Sequence, residues 1–186
     1  KAKITEAQIN EIIKVEDNKV HNYSTEIEME SNVKARRTAW DTHYRYPSMK
    51  NISQEFIKII KSFIIAENFD APDINVLNLW INWYRKNQMA ISHCHNTHLS
   101  LVFFVDVEKT NTSFLINKEY KHCFLTKKED SKTFNNKIVD VKVKDGTCLM
   151  FDGGLYHSTT PNLTDHKRIT LAVNFEVAYP KKKGEY

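Results

Sequence analysis

The 186-residue chain carries 27 Lys and Arg against 23 Asp and Glu, and a net charge of +4 is too mild to call for a nucleic-acid partner. Hydrophobic residues make up 41% and charged residues 27%, and no apolar run approaches the roughly eighteen residues that a membrane-spanning helix needs. The expectation is a soluble protein folded as a single domain over 1–186, with no membrane and no nucleic acid among its partners.

Cys94, Cys123 and Cys148 are odd in number and form no C-x-x-C pair, so neither a disulfide framework nor a zinc ribbon is suggested. The opening KAKITEAQ has no apolar signal segment, which points to a reducing cytoplasm, or to a host's cytoplasm if the protein is viral. The basic runs KARR (34–37), TKKEDSK (126–132) and PKKK (180–183) read as solvated loops and a tail.

Along the chain, a helical and irregular part over 1–70 gives way to a strand-rich core over 71–180. Thr5 with Gln8 reads as a capping box that opens a short helix, in which Ile9, Ile12 and Ile13 share a face. Asn51 with Gln54 reads the same way for a second helix. There Ile52, Phe56, Ile59, Ile60, Phe63 and Ile64 form one stripe, with Lys58 and Lys61 opposite. Both helices are expected outside a sheet. The segment between them, with Trp40, His43, Tyr44, Arg45 and Tyr46, lacks periodicity and reads as irregular chain.

From residue 76 the period becomes two. VLNLWINWY sets Asn78, Trp80, Asn82 and Tyr84 on one face and Leu77, Leu79, Ile81 and Trp83 on the other. RITLAVNFEV sets Arg168, Thr170, Ala172 and Asn174 against Ile169, Leu171, Val173, Phe175 and Val177. A face carrying Trp80, Tyr84 and a lone Arg168 suggests a lined cavity. Further strands are read in LSLVFFVDV, TSFLINK, KIVDVKV and GTCLMFD, with an exposed loop over Lys127 to Lys137. About eight short strands separated by turns argue for a jelly roll or small barrel.

The chain has eight histidines, and three of them fall in ISHCHNTHLS. His93 and His95, one residue apart, project to the same side of an extended strand and can grip one ion together. His157, in FDGGLYHSTTPN, would add a third ligand from a distant strand. That facial arrangement leaves positions open for substrate and oxygen. His98 reads as a neighbour of the site or a surface residue. Arg168 on an inner face is a buried cation that needs an anion. No Asp or Glu shares the early part of that face, so a bound carboxylate is its natural partner, held bidentately and assisted by Thr170.

Taken together, NWYRKNQMAISHCHNTHLSLVFFV, GTCLMFDGGLYHSTTPN and HKRITLAVNFEV resemble the iron(II)- and 2-oxoglutarate-dependent oxygenases, nearest the small bacterial and phage group related to prolyl hydroxylases. The resemblance covers residues 76–178. It implies a mainly β fold, a double-stranded β-helix of the jelly-roll, cupin-like type, with the N-terminal helices packed outside. It implies Fe(II) held by His93, His95 and His157, with Arg168 and Thr170 on the remote carboxylate of 2-oxoglutarate and Tyr84 and Asn82 completing that pocket. By analogy, Trp40, His43, Tyr44 and Tyr46 line the substrate entrance. The family's second ligand is commonly Asp or Glu, so His95 in its place implies a three-histidine site whose iron carries +2 instead of +1 before the cosubstrate binds.

The implied activity is a dioxygenase reaction with O2 that hydroxylates a C–H bond of a peptidyl, prolyl-like substrate and releases succinate and CO2. Two other readings stand beside it. A cupin-type three-histidine enzyme would not use 2-oxoglutarate, but no Glu follows His95 as the first cupin motif requires, and Arg168 would have no purpose. A noncatalytic jelly-roll binding module would not need inward histidines.

Overall fold

The structure, a computed structural model, describes residues 5–17, 33–66, 73–108, 113–117 and 138–178. The capping box closes as read. The backbone N–H of Thr5 donates to Gln8 Oε1 at 2.8 Å, and the N–H of Gln8 donates to Thr5 Oγ1 at 3.3 Å. They open helix α1 (Glu6–Asp17), which buries Ile12 completely.

Two short strands, β1 (Val33–Lys34) and β2 (Arg36–Arg37), then replace the solvated loop expected of KARR, with Ala35 buried between them. The other two basic runs, and the loop expected over Lys127 to Lys137, lie outside the described residues. Next come α2 (Thr42–Arg45) and α3 (Pro47–Ala66). The second long helix therefore starts at Pro47, not at Asn51. A proline has no N–H to leave unpaired in the first turn, and its fixed φ suits that position. Pro47 also disfavours the helical conformation at Tyr46, whose φ of −125° and ψ of 120° separate α2 from α3. Asn51 and Gln54 sit inside the helix.

The strands that follow are β3 (Asp73–Tyr84), β4 (Met89–Ala90), β5 (Leu99–Asp106), β6 (Ser113–Asn117), β7 (Ile138–Lys142), β8 (Cys148–Asp152), β9 (Tyr156–Thr159) and β10 (Arg168–Ala178). They form a five-stranded sheet ordered β2-β3-β10-β5-β8, a three-stranded sheet ordered β7-β6-β9 and a β1-β4 pair. All the pairings between named strands are antiparallel. This is the mainly β, jelly-roll architecture with helices outside.

The period of two decides which side each residue serves. Leu79, Ile81 and Trp83 of β3, Leu101, Phe103 and Val105 of β5 and Ile169, Leu171 and Val173 of β10 turn outward. They pack against Ile12 of α1 and Met49, Ile52, Phe56 and Ile60 of α3 to make the principal core. Phe56 and Phe103 meet with ring centroids 5.8 Å apart. On the other face Trp80, Val102, Phe104 and Ala172 form a second apolar cluster with Val143 and Phe151. That inner face looks across a narrow space toward β9. One sheet thus separates a packed core from a lined cavity, which is what the two unlike faces in the sequence require.

Candidate metal centre

His93 and His95 reach the cavity from the segment between β4 and β5. Only His93 has strand-like pairing there, a backbone bridge with His157 of β9 through bonds of 3.0 and 2.9 Å. The pair therefore does not share a regular strand as the sequence suggests. The segment is held instead by Gly153, whose carbonyl accepts from the His95 N–H at 2.7 Å and whose N–H donates to the His98 carbonyl at 3.2 Å. A Cβ at Gly153 would overlap the carbonyl of Thr97, so only glycine permits this approach.

The result is one cluster. The ligand atoms of His93, His95 and His157 all lie within 4.8 Å of one another, and no other such group of three occurs among the described residues. In each ring Nδ1 already faces a protein group. His93 Nδ1 lies 2.7 Å from the Ile91 carbonyl, and His157 Nδ1 lies 2.8 Å from the Leu155 carbonyl. His95 Nδ1 lies 2.8 Å from both Ser100 Oγ and Asn174 Oδ1. A carbonyl can only accept, so it fixes the proton on Nδ1 and makes Nε2 the nitrogen that carries the ring's lone pair, the arrangement metal-binding imidazoles favour. Burial opposes the charged form of each ring. It pushes His157 down to about 3 and His95 to about 4, with the neighbouring histidines adding to the effect, and lowers His93 as well. All three are neutral near pH 7, and the donor set fits a divalent transition metal.

A cavity of about 30 Å³ adjoins the rings, lined by Trp80, Asn82, Tyr84, His93, His95, His157, Thr159 and Thr170 among others. Thr170 Oγ1 accepts from Asn82 Nδ2 at 3.3 Å, and Asn82 Oδ1, buried, has no hydrogen-bond partner. Arg168 is buried behind this wall. Its guanidinium carbon lies 4.3 Å from the centre of the Tyr84 ring, while Nη1 donates to the Thr160 carbonyl at 3.0 Å and Nη2 to Thr159 Oγ1 at 3.3 Å. Its Nε has no partner, and no carboxylate pairs with it among the described residues. Burial lowers its pKa, so an anion beside it would be strongly favoured.

Of the four residues read as the substrate entrance, Trp40 approaches the site. Its ring lies 4.8 Å from that of Trp80 at a tilt of 46°, and Trp80 in turn meets His95 edge-on at 5.7 Å. His43 is buried and its ring lies 4.0 Å from that of Tyr44 at a tilt of 40°, with neither ring nitrogen hydrogen-bonded, and Tyr44 is exposed. Tyr46 packs on the helix-side core, so the structure does not bring it to the histidines. His98 stays outside the cluster, its Nδ1 accepting from the N–H of Val177 at 3.0 Å. Ser100, Thr159 and Asn174 were missed in the sequence. Asn174 stood on the correct face, but nothing in the sequence signals that it meets a histidine 79 positions away.

A jelly roll with three converging imidazoles beside a buried arginine defines a non-haem metal-binding class. Residues 78–174, more than half of the chain, match the model of the family described as "Putative 2OG-Fe(II) oxygenase". The chain belongs to the 2OG-Fe(II) oxygenases, and its metal, cosubstrate and oxidant are Fe(II), 2-oxoglutarate and O2. No curated protein matches it.

Solved structures share the fold at low identity. The non-haem alpha-ketoglutarate-dependent epimerase SnoN, from nogalamycin biosynthesis, is 12% identical with a TM-score of 0.66, over 97% of this chain and 77% of that one. HygX from Streptomyces hygroscopicus, with nickel, 2-oxoglutarate and hygromycin B bound, is 11% identical with a TM-score of 0.64, over 94% and 80%. The viral collagen prolyl hydroxylase vCPH from Paramecium Bursaria Chlorella virus-1, in its 2OG complex, is 13% identical with a TM-score of 0.57, over 94% and 92%.

Proposed function

We propose that the protein is a hydroxylase whose Fe(II) is held by Nε2 of His93, His95 and His157. The observation that carries this reading is the convergence of three imidazoles whose ligand atoms lie within 4.8 Å of one another, each with Nδ1 facing a protein group. Bound together, Fe(II), 2-oxoglutarate and O2 supply an oxidation in which one oxygen atom enters a C–H bond and the other enters succinate as CO2 leaves.

The chain's own residues bind and shield. Arg168 and Thr170 hold the remote carboxylate of 2-oxoglutarate, with Tyr84 and Asn82 lining its place; the unpartnered Nε of Arg168 and Oδ1 of Asn82 support this assignment. Turning the guanidinium from the Thr160 carbonyl toward a carboxylate replaces a neutral acceptor by a charged one. Trp80, Val102, Phe151 and Ala172 keep water from the reacting face. Trp40 borders the substrate approach, with His43 and Tyr44 behind it.

The favoured substrate is a peptidyl residue of prolyl type. The likeness in fold to a viral collagen prolyl hydroxylase supports it, as does a groove of about 770 Å³ that His95 borders, lined by Phe63, Leu99, Met150 and Val177.

Prepared without oxygen, the protein with Fe(II) and 2-oxoglutarate should develop a visible charge-transfer band that His157→Ala lacks. No band, together with no succinate formed in air, overturns the reading. Mass spectrometry of peptides and metabolites after incubation, searching for a gain of one oxygen, identifies the substrate.

A further inference from the structure

We propose that Asn174, supported by Ser100, is the positioning residue that holds His95 as its Nδ1–H tautomer and aims Nε2 at the metal. The inference rests on the three-histidine centre just described and concerns the member that side chains, not a neighbouring main-chain carbonyl, hold in place.

The three histidines are not oriented in the same way. His93 and His157 each face the main-chain carbonyl two residues before them, an acceptor that no side-chain substitution removes. His95 has no such carbonyl. Its Nδ1 meets side chains from two other strands, Ser100 of β5 and Asn174 of β10, which stand directly opposite each other in the sheet.

The hydrogens in this trio can be assigned. Ser100 donates its hydroxyl hydrogen to Asn174 Oδ1 at 2.9 Å, so its oxygen is left to accept. His95 Nδ1 then faces two acceptors at 2.8 Å and must itself be the donor. The opposite amide orientation would present an N–H to Nδ1, force the proton onto Nε2 and remove the lone pair that a metal needs. A donor at position 174 is incompatible with a three-histidine centre.

The position is built for the purpose. Asn174 and Ser100 are both buried. The β10–β3 register shifts between Asn174 and Phe175, a local irregularity at the point where this side chain reaches the histidine. Acceptors that orient a ligating histidine typically change metal affinity by about 10–100-fold when removed.

The test uses the whole chain, stripped of metal and titrated with Co(II), whose visible ligand-field bands report its donor set without turnover. Asn174→Ala should bind Co(II) about 10–100-fold more weakly, with altered bands. Asn174→Asp, which can only accept at either oxygen, should bind at least as tightly as the unchanged protein, a rescue that a purely structural role would not produce. Unaltered affinity and bands in Asn174→Ala overturn the proposal. If Asn174→Ala does not fold, Asn174→Asp decides: weaker Co(II) binding in that variant shows that the native amide was a donor. His157→Ala is the control, and full Co(II) binding there would bring down the three-histidine centre itself, an outcome distinct from failure at Asn174.

Discussion

Every histidine of the centre turns Nδ1 to a protein group, whereas Arg168 sits apart behind Tyr84, so single side chains have separable effects. Arg168→Ala should weaken 2-oxoglutarate binding by about 1.5–3 kcal/mol for each charge-assisted bond removed, while Co(II) binding survives. Arg168→Lys should recover little, because an ammonium cannot reproduce the planar fork. Calorimetric titration with 2-oxoglutarate checks both, and equal loss of metal and cosubstrate would show that Arg168 supports the fold instead. His43 offers a pH test away from the metal. Burial holds its pKa below 6.5, against a smaller opposing effect of Asp41. Between that lowered value and 6.5 the unfolded chain binds a proton that the folded chain refuses, so stability rises with pH across the window. It is whole above pH 6.5 and is lost as pH falls through the folded value. His43→Phe should therefore lose less stability than the unchanged protein between about pH 7.5 and pH 5, read by urea denaturation at each pH. Identical losses would show that His43 charges without cost in the folded state.

The elements explain why so much could be read and where reading stopped. A strand buried on both sides but lined differently on each betrays itself by alternation, and β3 and β10 carry their apolar sets on the faces expected of them from residue 78 onward, whereas Leu77, skipped where the register shifts between Asn174 and Phe175, is exposed and Val76 packs on the core in its place. Phe56 of α3 sits against that face, fully buried, and Phe56→Ala should cost about 3–5 kcal/mol in denaturant unfolding. The start of α3 is not legible in the sequence because two features compete there. A capping-box pattern at Asn51 is local and visible, whereas Pro47 acts through a φ angle and a missing N–H. The segment carrying His93 and His95 is governed by neither period. Its path follows from contact with Gly153, far along the chain, and Gly153→Ala should destabilise the protein by about 1–3 kcal/mol. The same variant should weaken Co(II) binding, since the N–H of His95 is hydrogen-bonded to the displaced residue. Normal metal binding by a destabilised Gly153→Ala would mean that this contact shapes the loop without setting the ligands.

Across the whole molecule, metal binding and folding are linked. An ion that binds the folded chain alone stabilises it by about 2.7 kcal/mol at a hundred times its Kd, which raises Tm by roughly 5–10 °C in a protein of this size. Thermal unfolding with and without Co(II) checks this, and His157→Ala should show almost no response. The sequence by itself determined the fold class, the inward faces of β3 and β10 and the residue types of the candidate metal and carboxylate sites. Periodicity, turn chemistry and the need of a buried arginine for an anion are all local properties, and local properties survive in one dimension. Only the tertiary structure decided that Nδ1 of each histidine meets a protein group and that Asn174 and Ser100 stand beside His95. It also showed that Arg168 lies behind Tyr84 and that Tyr46 belongs to the helix-side core. Those outcomes depend on which strands become neighbours, because a hydrogen bond is made between groups a few ångströms apart, whatever their separation in the chain.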